Sequence, residues 1–225
     1  MKGNRVYILV VMLALALGVY VTEATAQPTV LTVCGNVGTG SYVLGNNIST
    51  TGTCLTLNGD DITIDLNGFT IDGDDGAGDV GITFGSFQRR NIVIRNGTIR
   101  DFDIGVGCGS CVDSKVEWIL AFSNGIGIQV GNNSNVSHNI ANSNSDRGIV
   151  HDMDCTISYN IANNNNSGIA SFNIGSNIIY NTANGNVNVG INVFCPSNLV
   201  GNIAQNNGTN LLQNGPGCKR YNNLF

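Results

Sequence analysis

Residues 146–155 read DRGIVHDMDC and bring Arg147, His151, Asp152 and Asp154 into eight consecutive positions, with His138, the other histidine of the chain, close upstream. These are residue types that could act on a polyuronate. A lyase or epimerase needs a base for the C5 proton and a cation, Arg or Ca²⁺, to neutralise the adjacent carboxylate. A glycoside hydrolase needs two carboxyl groups at a set separation, and Asp152 and Asp154 qualify by type. Alternation with a period of two, counted from Ile149, points His151 inward, where its equivalents are Val130, Ser171 and Val193. A buried structural histidine is therefore the competing reading. Copper would prefer several His or Met. Downstream of residue 26 only His138, His151 and Met153 are of those types, so the best set, with Cys155 added, is thin.

Two further groups could bind rather than react. Seven acidic residues fall between 60 and 79, and Asp72, Asp74, Asp75 and Asp79 sit in a Gly-rich insertion. Clustered carboxylates are hard oxygen ligands suited to Ca²⁺. Their D-G-D-D-x-x-x-D spacing lacks the EF-hand register, and a solvated acidic loop is the alternative. Trp118, His138, Tyr159 and Tyr180 recur at steps of 20, 21 and 21. Facing outward, such rings would form a platform for sugars, with Trp118, Tyr159 and Tyr180 as ligand-binding residues. Facing inward, they would be a stacked interior ladder.

The positions of these groups follow from a repeat. Asn139, Asn160, Asn181 and Asn202 are 21 apart, and Asn124, Asn144, Asn165, Asn186 and Asn207 keep nearly the same beat. So do the apolar columns Val116, Val136, Ile157, Ile178, Leu199 and Ile82, Val106, Ile128, Ile149, Ile169, Ile191, Leu211. A period of 20 to 25 residues marks a repeat array. Segments such as DITIDLNGFTI and NIVIRNGTI alternate apolar and polar residues with the strand period, and in each an Asn-Gly pair follows the alternating run. Gly and Asn adopt left-handed backbone cheaply and so permit tight corners. A coil of about 21 residues then holds three short strands and three corners. Stacked coils put equivalent residues above one another at roughly 4.8 Å. Asn columns bond amide to amide at the corners, as in other stacked strands. The L-x-x-L-x-L pattern of leucine-rich repeats and a strict six-residue beat are both absent. The composition, 42% hydrophobic and 11% charged, argues against disorder.

Seven cysteines imply an oxidising compartment, with disulfides and one thiol left over. Cys34 and Cys54 bracket an N-terminal segment and are read as a staple. Cys195 and Cys218 lie about one coil apart. Cys108 and Cys111 form C-G-S-C in a turn, where a redox pair or half a metal site is the alternative, and Cys155 remains as the free thiol. The chain opens with basic residues, an apolar run and A-T-A-Q, the pattern of a signal peptide cleaved after Ala26. Loss of residues 1–26 removes Lys2, Arg5 and Glu23, leaving eight basic and fourteen acidic residues, net −6. That balance argues against nucleic acid as a partner. No second segment could span a membrane, and the product is expected to be secreted or periplasmic.

The runs IDLNGFTIDG (64–73) and IVIRNGTIRDF (92–102), followed by the N-x-A-x-x-N…GI coils from 139 onward, resemble the right-handed parallel β-helix superfamily of pectate-lyase-like proteins. They are similar in particular to its secreted repeat members and the periplasmic copper-associated ones. The resemblance implies an all-β, single-solenoid chain. The organisation expected is a signal peptide at 1–26, an N-terminal cap at 27–57, about seven coils of 20–30 residues at 58–218 and a tail at 219–225. The superfamily includes lyases, hydrolases, epimerases and adhesins. The G-H-G and R-I-K signatures of its polygalacturonases and pectate lyases are missing here. Non-catalytic association with extracellular or cell-envelope polysaccharide is thus the expected function. A lyase, epimerase or hydrolase using the 147–154 cluster is one alternative, and a structural or adhesion module is the other.

Overall fold

A computed structural model describes residues 27–85 and 87–225. The expected signal peptide lies outside these residues. Every strand pairing is parallel, in sheets of thirteen, nine and two strands. The chain winds as a solenoid whose cross-section has three faces. Using one coil as an example, the first face is residues 115–117, the second 120–122 and the third Ile126–Val130. The thirteen-stranded sheet wraps round the corner between the first two faces, because Ile92–Arg100 pairs with both Ile62–Asp65 and Thr70–Asp72.

The third face is the nine-stranded sheet, one strand per coil, so the described residues form about nine coils rather than about seven. The additional coils lie at the two ends. Gly35–Val37 pairs with Leu55–Leu57, and Lys219–Tyr221 with Asn198–Val200. The N-terminal coils lie outside the Asn beat, whereas the last coil continues it through Asn223, so the columns that start at Asn139 and Asn124 understate the stack. In between, the register is that of the apolar columns. Ile94, Val116, Val136, Ile157, Ile178 and Leu199 pair in succession, as do Ile82, Val106, Ile128, Ile149, Ile169, Ile191 and Leu211. Nearly all are fully buried and form one continuous core.

All three corners turn mainly by the same device, one residue with positive φ, although at the first corner the cis peptide Cys195–Pro196 stands where the coil before has Gly175. The first corner uses Asp61, Asn91, Asp113, Asn133, Asp154 and Gly175; the third uses Asp101, Ser123, Ser143, Asn164, Gly185 and Asn206. The second uses Asn96, Trp118, His138, Tyr159, Tyr180, Gly201 and Asn222, with φ between 51° and 63°. The recurrent asparagines are thus not the turning residues. Each stands one position later, buried and directed inward. Asn160 Oδ1 accepts the Asn139 backbone N–H and its Nδ2, each at 3.0 Å, while Asn160 Nδ2 donates to Val136 O at 2.8 Å and Asn181 Oδ1 at 3.0 Å. Both donors and both lone pairs of the amide are used, which is what makes burial of a polar group tolerable. The Asn124 to Asn207 ladder at the third corner repeats the pattern.

The first corner carries a ladder of serines, Ser114, Ser134, Ser176 and Ser197, with Cys155 in the middle rung. Ser114 N–H donates to Ser134 Oγ, Cys155 N–H to Ser176 Oγ and Ser176 N–H to Ser197 Oγ. The Cys155 thiol is in contact with the Gly131 carbonyl at 3.1 Å, in the place a serine hydroxyl would take. Cys34–Cys54, Cys108–Cys111 and Cys195–Cys218 are disulfides.

Candidate functional site

The ring column faces outward and is stacked as well. Trp118, Tyr159 and Tyr180 are 51–56% exposed. Ring centroids from Trp118 through His138 and Tyr159 to Tyr180 are 4.4, 5.3 and 5.4 Å apart, with interplanar angles of 18°, 12° and 22°. Stacking turns the ring faces along the solenoid axis and leaves the edges to solvent. Above Tyr180 the column continues as Gly201, where a β-carbon would collide with the tyrosine ring. Below Trp118 it continues as Asn96, whose amide turns to the Asp65 carboxylate at 3.2 Å. A notch of about 280 Å³ opens there, lined by Trp118, Leu120, Gly68, Gly97 and Thr98.

The backbone at this corner makes the rings costly. A left-handed conformation costs an ordinary L-residue on the order of 1–2 kcal/mol, and bulky residues are rare there. Stacked aromatic pairs contribute about 0.5–1.5 kcal/mol each. Three pairs, about 1.5–4.5 kcal/mol, offset only part of a cost of about 4–8 kcal/mol for four such residues, and among the described residues no aromatic residue turns either of the other corners. Next to the rings on the second face runs an exposed aliphatic row, Leu120, Ile140, Ile161 and Ile203, interrupted by Thr182. Rings and aliphatics together make a contiguous apolar strip of the kind that marks a binding surface.

The third corner holds the larger cavity, an axial groove of about 650 Å³. Ser123, Ser143 and Asn164 line it in successive coils, and Asp75 and Asp103 close one end. Sequence reasoning passed over this corner. The available signal was the step of 20 and 21 between Ser123, Ser143 and Asn164, each directly before a ladder asparagine.

The 147–154 cluster is not gathered. Arg147 starts its strand on the outside, ion-paired to Asp146 at 3.2 Å, with its guanidinium 5.5 Å from the Phe172 ring centroid. His151, at the other end of that strand, is 0% exposed, opposite Ser171. The Asp152 carbonyl, 3.1 Å from Nδ1, can only accept, which assigns the proton to Nδ1; the Ser176 hydroxyl is 3.3 Å from the same nitrogen. Nε2 is buried with no partner. Burial lowers the His151 pKa to about 4 and raises that of Cys155 to about 11. Asp154 is exposed at the first corner. His151 therefore has no path to an outside substrate, and the candidate catalytic set spans an inner position and two separate corners. The copper set separates likewise, His138 outside and His151 with Cys155 inside.

In the acidic loop, Asp72 is engaged by Arg100 at 2.7 Å, and Arg100 also holds Asp101 at 3.0 Å. Partial burial raises the Asp101 carboxyl pKa against the pull of Arg100. Asp74 accepts the Gly76 N–H, and Asp75 borders the groove. Among the described residues no three His, Cys, Asp or Glu side chains form a metal-holding group. Calcium thus rests on the composition of the loop.

No protein-family profile matches the chain, and no curated protein matches it. Among solved structures, the Azotobacter vinelandii mannuronan C-5 epimerase AlgE4 A-module aligns with a TM-score of 0.54 at 17% identity, over 78% of this chain. The chain spans 64% of that module. A crystal structure of the periplasmic alginate epimerase AlgG, a double mutant, aligns over 77% of this chain and 55% of its own, with a TM-score of 0.39 and 15% identity. In fold, and in fold alone, the chain is similar to the epimerase A-module: a parallel β-helix.

Proposed function

We propose that this is an extracytoplasmic β-helix that associates with an extended carbohydrate chain along its ring-bearing strip, without acting on it chemically. One observation carries the reading: four rings occupy left-handed positions that Asn and Gly fill in the coils on either side, with the strip left exposed. Sugar C–H groups pack on aromatic faces and aliphatic rows; the notch beside Trp118, at the end of the stack, admits one sugar ring, and the aliphatic row continues the apolar contact along the strip. Three disulfides support an oxidising compartment. The inward orientation of His151 favours binding over catalysis, since a general base must reach its proton.

The test is a panel of polyuronates and neutral glycans incubated with the protein, scored for binding, unsaturated ends and new reducing ends, and by NMR for C5 inversion. Weak binding that Trp118→Ala and Tyr159→Ala reduce, with the glycan recovered unchanged, is expected. Conversion that His151→Ala or Asp152→Asn abolishes in a folded protein would overturn the reading in favour of a lyase, epimerase or hydrolase. A calcium ion in the 72–79 loop is a secondary proposal. It requires a Tm that rises with Ca²⁺ occupancy and a rise that Asp74→Asn with Asp75→Asn removes. An unchanged Tm at millimolar Ca²⁺ would leave a solvated acidic loop.

A further inference from the structure

The groove at the third corner is a second site, built differently from the ring strip and independent of it. Its floor is rigid, because Asn124, Asn144 and Asn165 behind it spend their amides on the ladder. Its lining is uncommitted. Among the described residues the hydroxyls of Ser123, Ser143 and Ser145 and the amide of Asn164 make no side-chain hydrogen bond within the protein. Ser123, Ser143 and Asn164 recur once per coil, at roughly 4.8 Å, along the groove. Hydroxyls and an amide, each able to donate and accept, along one track suit a polymer rich in hydroxyls.

The charge at the end of the groove narrows the ligand further. Asp75 and Asp103 line it, and no Lys or Arg does. Arg100 is paired with Asp72 and Asp101, and Arg147 with Asp146. In the absence of Ca²⁺, a chain carrying a carboxylate on each sugar would meet like charge with no cation in the lining to neutralise it. A hydroxylated or amine-bearing chain would not. We propose that this groove binds an extended glycan of neutral or amino sugars and rejects polyuronates.

Calorimetric titration in calcium-free buffer with three probes tests this: chitosan oligomers, cello-oligosaccharides and mannuronate oligomers. Binding of the first two and rejection of the third is expected. Ser123→Gly, Ser143→Gly and Asn164→Gly combined suit a backbone with φ of 55° to 57°, so the fold is kept. Loss of three polar partners should weaken both neutral and amino-sugar binding by about tenfold or more. Asp75→Asn with Asp103→Asn should weaken only the chitosan oligomers and remove the salt dependence of their binding. Trp118→Ala should remove only the weak binding of the ring strip and leave a site that the triple glycine variant abolishes, which separates the two. The proposal is overturned if mannuronate oligomers bind tightest, if the triple glycine variant binds like the parent, if Trp118→Ala abolishes all binding, or if none of the probes binds.

Discussion

Replacing Asn160 by alanine removes one amide from the middle of a ladder in which every hydrogen-bonding position is used. The Asn139 backbone N–H loses its acceptor at 3.0 Å and the Val136 carbonyl its side-chain donor at 2.8 Å, while Asn139 and Asn181 each lose an amide partner. Asn160 is 1% exposed, so water does not replace what is lost. A buried group left unpaired costs about 1–3 kcal/mol, and two backbone groups place the expected loss near 3–5 kcal/mol. Asn223→Ala removes the same chemistry from the half-buried last rung, where Asn202 N–H and Nδ2 each donate to it at 2.9 Å. Water can take over there, and roughly 1 kcal/mol is expected. Urea denaturation followed by circular dichroism measures both. In a solenoid each repeat is held by its neighbours, so the central variant should also broaden or split the transition. Equal costs at Asn160 and Asn223 would refute the saturation argument.

Two other rungs make separate predictions. Cys155→Ser should be neutral or stabilising, because serine is the residue of this ladder, whereas Cys155→Ala should cost about 1–3 kcal/mol by leaving the Ser134 N–H without its acceptor; the ranking of the two in thermal melts decides. His151 is neutral in the fold, with a pKa of about 4 against the usual 6.5. Its stability contribution is complete above pH 6.5 and is lost as pH falls toward 4. Up to about 3 kcal/mol should disappear over that range in the parent and be retained in His151→Val, as read from urea midpoints at each pH.

The inner columns were legible because burial enforces repetition. Val136, Ile157 and Ile178 must match in size and register, and their spacing reveals them. Corners were legible only in part. A bulky residue at positive φ runs against local preference, so nothing in the sequence marked Trp118 or Tyr159 as turning residues, and the turn was assigned to the asparagine that follows. The serine ladder was hidden by Cys155, which interrupts the residue type but keeps the hydrogen bonds. Proximity in sequence also misled at 147–154, since a strand sends neighbouring side chains to opposite sides and a corner diverts the rest. The reactive residue types there are contiguous in the chain and dispersed in space.

Each ladder rung recognises only a copy of itself, and nothing in the middle of the stack depends on how many rungs precede or follow. The length of the molecule is therefore a free variable, bounded by the disulfides Cys34–Cys54 and Cys195–Cys218 in its outer coils. Duplication of the 21 residues from Asn160 to Tyr180 would insert a complete coil with its Asn, Ser or Cys, and ring positions already in register. It would extend every surface track by one step of roughly 4.8 Å. Reach along a polymer can thus be gained or lost by copying a segment, with no new interface to evolve.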